Sequence, residues 1–233
     1  MLNHICFKNL LQNYARKSSR KMTCVNFVQL QFKKTNFDLY LFQIMEILKT
    51  ILSKYKVYFS EDSMRKFESI LTRKEYKKEE IILEEGKLSQ HFYIVEKGLI
   101  RQFYYKDGRD ITEHFSCEGN IATCLESLFL KEPTHLLIEA LEPTTLYLLD
   151  YEKWKKLCDE NLEINQLYRA IMEYKLVVSQ QKADSWRFEN SRERYDRFCK
   201  EFPSVSRRAS VAHIATYLLM SPETLSRVRA GVL

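Results

Sequence analysis

Four glycines punctuate the middle of this 233-residue chain at positions 86, 98, 108 and 119, and none follows until Gly231. Glycine takes up the left-handed backbone of tight turns at little steric cost, so a spacing of 12, 10 and 11 residues marks a series of turns. The intervals hold β-rich runs: Ile81-Ile82-Leu83, Phe92-Tyr93-Ile94-Val95 and Leu99 to Tyr105. Asp107-Gly108 is a hairpin signal, because both residues tolerate the positive φ of a two-residue β-turn. Two further strands are predicted at His135–Ala140 and Leu146–Leu149, separated by Glu142-Pro143. Short strands with a turn about every ten residues point to a jelly-roll-like β-roll rather than a parallel sheet. Ahead of them, Met64, Phe67, Ile70 and Leu71 stand at helical spacing behind Ser60-Glu61-Asp62 and predict a short helix.

After Gly119 the period changes. Ile164, Leu167, Ile171, Tyr174, Val178, Gln181, Ser185 and Phe188 alternate steps of three and four, a heptad seam that is apolar at first and polar later. The seam either packs back on the β-section or pairs with a second copy. A single long helix outreaches so small a domain, which favours a two-chain interface at Leu167, Ile171, Tyr174 and Val178. The chain therefore reads as an α+β protein with four parts. Residues 1–44 are a basic segment, 45–155 a β-roll, 156–190 a long dimerisation helix and 191–233 a C-terminal helical domain.

The net charge of +6 sits entirely in the first 44 residues, which carry seven basic side chains against Asp38. That segment reads as a basic nucleic-acid arm, a presequence, or an extension upstream of the start at Met45. Its Phe32, Phe37, Leu39, Leu41 and Phe42 are too apolar for a solvated arm and favour the last. From Ser191 onward eight basic residues face four acidic ones, so the C-terminal end alone can meet DNA. Chance fluctuation is the bland alternative. Every hydrophobic run is broken by charge well short of the roughly 18 residues of a membrane span. Six scattered cysteines lacking any C-x-x-C suit a reducing cytoplasm rather than a disulfide framework.

The most specific pattern lies near the end. Val211, Ile214, Ala215 and Leu218 form one apolar helix face. A second helix opens at Ser221-Pro222-Glu223, with Ser221 as N-cap, Pro222 at the first helical position and Glu223 near the positive dipole end. Leu225 and Val228 turn inward, leaving Glu223, Thr224, Ser226, Arg227 and Arg229 on other faces. Two short helices across a tight turn, the second polar and arginine-bearing, describe a helix-turn-helix. Two helices of an ordinary bundle share the same periodicity.

The run from Val211 to Arg229 resembles the helix-turn-helix of Crp/Fnr-type bacterial regulators, particularly Bacteroidetes-like sequences reading I-A-x-Y-L-G-[IM]-[ST]-P-E-T-L-S-R. Ser191 to Phe198 resembles the segment that joins the long helix to that domain. The β-section with Gly86, Gly98 and the Glu118-Gly119 turn is similar to the cyclic-nucleotide-binding fold. The resemblance covers about residues 45–233. It implies a winged-type helix-turn-helix, a homodimer, double-stranded DNA as partner and a small-molecule effector of unknown identity. Arg227 and Glu223 would then read bases, with Ser221 capping the recognition helix. Thr224, Ser226, Arg229, Arg207 and Arg208 would touch phosphates. The effector would meet Gly119, Asn120, Glu126, Ser127 and Thr134.

Two departures stand out. Leu219 occupies the turn position where the family usually has Gly, at a cost of roughly 1 kcal/mol if it is left-handed. Members that bind cyclic AMP hold its phosphate with an Arg, whereas here Pro133-Thr134-His135 fills that stretch and no Arg occurs from Asp110 to Tyr168. Cyclic AMP is thus not the expected ligand. No cofactor and no metal site is predicted. Cys6 and Cys24 are poorly spaced for an iron–sulfur cluster, and His114, Cys117 and Cys124 make at most a partial metal set. No nucleophile elbow or phosphate loop appears, so catalysis is not expected and no membrane partner is implied. A DNA-binding regulator leads. The alternative is a ligand-binding or interaction module whose C-terminal domain no longer reads DNA.

Overall fold

The Asp107-Gly108 pair closes a β-hairpin, as its turn chemistry requires. The computed structural model describes residues 43–232, and the expectations placed on residues 1–42, with Cys6 and Cys24, lie outside them. Helix α1 (43–55) and α2 (Glu61–Glu68) precede eight strands. These are β1 (Leu71–Tyr76), β2 (Ile81–Leu83), β3 (His91–Lys97), β4 (Leu99–Lys106), β5 (Arg109–Cys117), β6 (Ile121–Ala122), β7 (Leu137–Ala140) and β8 (Thr144–Asp150). They form two antiparallel four-stranded sheets, ordered β1-β8-β3-β6 and β2-β7-β4-β5. At the β4–β5 turn Lys106 faces Arg109, with Asp107 and Gly108 both at positive φ, as the Asp-Gly pair demands.

The core lies between the sheets, where Tyr93, Val95, Ile100, Ile138, Leu146 and Leu148 interdigitate. Gly98 stands at φ 105°, and a Cβ there would come within 2.8 Å of the Thr144 Cα. Two strands approach more closely at that point than any side chain allows. The helix predicted through Leu71 ends earlier, at Glu68. Ser60 caps it, but Leu71 opens β1 and faces Leu149 across the sheet, so strand pairing overrides the helical spacing.

The expected long helix starts at Leu162 rather than at residue 156, and a separate helix precedes it. Helix α4 (Tyr151–Glu160) stops at Asn161, whose extended backbone and side chain start α5 (Leu162–Phe188) by accepting from the Ile164 amide at 3.1 Å. At 27 residues α5 is about 40 Å long. Its first half packs on α4 and α2, with Trp154 set edge-on to Tyr168. Short helices follow: α3 (Leu125–Leu130) inside the β-roll, then α6 (Ser191–Glu201), α7 (Val205–Arg208), α8 (Val211–Tyr217) and α9 (Pro222–Arg229) after α5. Among the described residues no strand follows α9. From Ile47 onward the chain forms one compact unit.

Candidate functional site

Helix α5 crosses the open end of the β-roll and closes a cavity of about 210 Å³ between itself, β5 and β6. Gln102, His114, Ser116 and Asn120 line the β-roll side. Tyr174, Lys175, Ser179 and Lys182 line the α5 side, and Lys54 and Tyr55 reach in from α1. Lys175 donates to the Ile121 carbonyl at 3.0 Å, and Lys182 donates to the Glu113 carbonyl. Lys54 donates to Asn120 Oδ1 at 2.5 Å. Burial pulls the pKa of Lys175 and of Lys182 down to about 8, and neighbouring Lys54 adds to the effect on Lys175. His114 stays neutral, its pKa pushed down to about 3 by desolvation and then by the two lysines.

A second cavity of about 240 Å³ adjoins the first through Gln102, His114, Thr123 and Leu125. Here stand the predicted cassette residues. Ser127 and Thr134 are buried, but both hydroxyls serve the loop itself. Ser127 Oγ donates to the Glu132 carbonyl at 2.6 Å and accepts from the Ser89 amide at 2.9 Å. Thr134 Oγ1 accepts from the Leu136 amide at 3.0 Å. Glu126 is exposed, and Asn120 lines the first cavity instead. Gly119, at φ 75°, shapes the turn by donating its amide to Val95 and lines neither cavity. The residues that dominate the first cavity, Lys54, Lys175 and Lys182, escaped the sequence reading. Lys175, Ser179 and Lys182 do carry a signal, one helix face at steps of four and three.

The C-terminal helices build a different surface. Ser221 Oγ accepts from the Thr224 amide at 3.2 Å, Pro222 occupies the first turn, and Leu225 and Val228 are fully buried. Glu223 and Arg227 therefore stand together on the outer face, one turn apart, with Ser226 exposed and Thr224 half-buried. The hydrogen bond with Ser221 lowers the Glu223 pKa and keeps the carboxylate ionised. Arg227 has no ion-pair partner among the described residues. Arg229 reaches the Ser206 carbonyl at 3.5 Å, which brings exposed Arg207 on α7 beside α9. Leu219 does adopt the left-handed backbone, at φ 54°, while Met220 donates back to Ala215 to close the turn.

The helix pair is docked on the β-roll. Thr216 on α8 accepts from the Thr112 amide of β5 at 3.1 Å, and Ile214, Ala215, Leu218 and Leu225 share a core with Leu99, Phe115 and Phe198. Arg208, expected on phosphate, is held elsewhere: its guanidinium pairs with Glu118 at 2.8 Å and Glu142 at 2.5 Å, which raises its pKa further.

The predicted dimer residues divide. Leu167 and Ile171 are 0% and 1% exposed, covered by the chain's own side chains, so the intrachain alternative holds for that half of the seam. Tyr174 stacks edge-on with Tyr55, and Val178 lines the first cavity. The exposed apolar side chains of α5 include Leu176 and Val177, 73% and 53% exposed, together with Leu162, Tyr174, Trp186 and Phe188.

Residues 73–161 match the cyclic nucleotide-binding domain family. Among solved structures, FixK2 from Bradyrhizobium japonicum is similar at 21% identity and a TM-score of 0.60, over 70% of this chain and 84% of that one. The c-di-GMP responsive global regulator CLP of Xanthomonas campestris is similar at 16% identity and a TM-score of 0.59, over 74% and 91%. A transcriptional regulator of the Crp/Fnr family from Eubacterium rectale is similar at 17% identity and a TM-score of 0.56, over 74% and 83%. No curated protein matches the chain in sequence.

Proposed function

We propose that this chain, which has a cyclic nucleotide-binding domain and the fold of the Crp/Fnr regulators, is a DNA-binding transcription regulator. The observation that carries the reading is the outer face of α9. Its capped N-terminus, its buried Leu225 and Val228 and its unpaired Arg227 beside Glu223 suit insertion in a major groove. In this reading Arg227 forks onto a guanine edge and Glu223 accepts from a cytosine amino group. Thr224, Ser226, Arg229 and Arg207 meet phosphates. Arg208 joins them only on leaving Glu118 and Glu142, so DNA and the docked arrangement compete for one guanidinium.

The division into a β-roll to residue 155, a helical connector to 190 and a DNA-reading end from 191 belongs to the same proposal. Two copies meet along α5 through Leu176 and Val177, adjacent apolar side chains near the middle of the helix that its own chain leaves exposed, as it does Tyr174. The β-roll senses an effector other than cyclic AMP, because the cassette hydroxyls of Ser127 and Thr134 are committed to backbone groups and no guanidinium stands among them. One observation favours the second reading, a module that no longer reads DNA: Leu219 strains the turn between the two helices.

Fluorescence anisotropy on a selected duplex and on random DNA separates the two. Arg227→Ala should cost about 1–3 kcal/mol on the selected site and little on random DNA. Equal losses on both remove Arg227 as a base reader, and no binding to either supports the second reading.

A further inference from the structure

Three ammonium groups converge on the first cavity, and among the described residues no carboxylate forms an ion pair with them. Lys54 comes from α1, and Lys175 and Lys182 stand two turns apart on α5. Each rests on an uncharged oxygen, from Asn120, Ile121 and Glu113 respectively. The Glu113 carboxylate lies 3.6 Å from the His114 ring and acts on Lys182 through space without forming an ion pair with it. None of the three lysines has an ion-pair partner among the described residues. Lys175 and Lys182 are half-buried while Lys54 is exposed, and a charge withdrawn from water without a paired counter-charge is costly unless a ligand supplies the missing sign. Burial depresses the pKa of both Lys175 and Lys182, and Glu113 only partly offsets the effect at Lys182. The cavity has room for a small molecule, at roughly 30 Å³ for each water displaced.

We propose that this cavity binds a compact dianion, a dicarboxylate or a phosphate, held by Lys175 and Lys182 with Lys54 closing over it. The proposal rests on the β-roll being an effector domain and names the chemistry of its ligand. The positive charge comes from the helix that spans the cavity and not from the cassette loop, so the missing arginine is no obstacle to anion binding. The site also touches the helix pair. Lys182 Nζ lies 5.2 Å from the centre of the Tyr217 ring on α8, and Tyr217 lines the cavity. A dianion that draws Lys182 inward weakens that cation–π contact and so loosens the docking of α8 on β5.

The test is thermal unfolding of the full chain with succinate or inorganic phosphate, each against sodium chloride at equal ionic strength. A saturating rise in Tm of several degrees with either anion is expected, and which anion acts tells carboxylate from phosphate. Lys175→Met/Lys182→Met should fold and lose the rise, whereas Lys175→Arg/Lys182→Arg should keep it. A rise no larger than that with chloride overturns the site, as does a full rise in the Met variant. DNA anisotropy on the same samples separates this from the regulator reading. Binding to DNA without an anion-specific rise overturns the pocket alone. An anion-specific rise without DNA binding supports the pocket and overturns the regulator.

Discussion

Lys175→Met should stabilise the protein at neutral pH. The ammonium is largely desolvated, and its pKa falls from the ordinary 10.5 to about 8. That difference amounts to about 3 kcal/mol against the charged folded state. Methionine keeps the unbranched stem and removes the charge. It also strips a donor from the Ile121 carbonyl, now held at 3.0 Å, at a cost of about 1 kcal/mol. The net gain is about 2 kcal/mol, or roughly 4–8 °C in Tm for a chain of this size. The sign with pH follows from linkage. Below pH 8 the lysine is protonated in both states and the folded state bears the whole penalty. As pH rises from 8 to 10.5 the folded state loses its proton first, and the wild type gains up to about 3 kcal/mol that the variant cannot gain. Urea unfolding followed by tryptophan fluorescence at pH 7, 8, 9 and 10 reads this directly. The two stabilities should converge as pH rises. A variant less stable than wild type by 1 kcal/mol at pH 7, or parallel profiles from pH 8 to 10, would refute the reasoning.

Three further outcomes follow from the geometry. Leu219→Gly should be about 1 kcal/mol more stable than Leu219→Ala by chemical denaturation, since both remove the same exposed branches and only Ala keeps a Cβ in the left-handed region. Ile171→Asp should destabilise the fold by about 3 kcal/mol or more, because the side chain is buried within its own chain, whereas Leu176→Asp should leave the Tm within a few degrees and yield monomers by light scattering. Gly98→Ala should lower the urea midpoint sharply, by about 2–4 kcal/mol in stability, since its Cβ collides with the Thr144 backbone at a φ that alanine resists.

Much of the β-roll was legible because its turns are chemically enforced. Asp107-Gly108 admits few conformations besides the hairpin it forms, and Gly98 marks a crossing no side chain tolerates. Leu71 shows the limit of local pattern: its spacing from Phe67 fits a helix, and only its partner Leu149, far along the chain, makes it a strand residue. The seam at Leu167 and Ile171 announced a buried stripe without saying what buries it, since periodicity is blind to whether the cover is the same chain or another. Arg208 shows a related limit. A basic residue ahead of a recognition helix reads as a phosphate contact, and its carboxylate partners lie 66 and 90 residues away. The cavity lysines were invisible because a charge on a helix face is ordinarily solvated, and here the β-roll removes the water.

Selection of duplexes from a random pool by the full-length protein tests the central claim most directly. The account predicts enrichment of a palindrome with half-sites about 34–36 Å apart, bound with an affinity that falls steeply as salt rises and losing its enrichment in Arg227→Ala. Recovery of no preferred sequence, with binding that is absent or insensitive to salt, would contradict it.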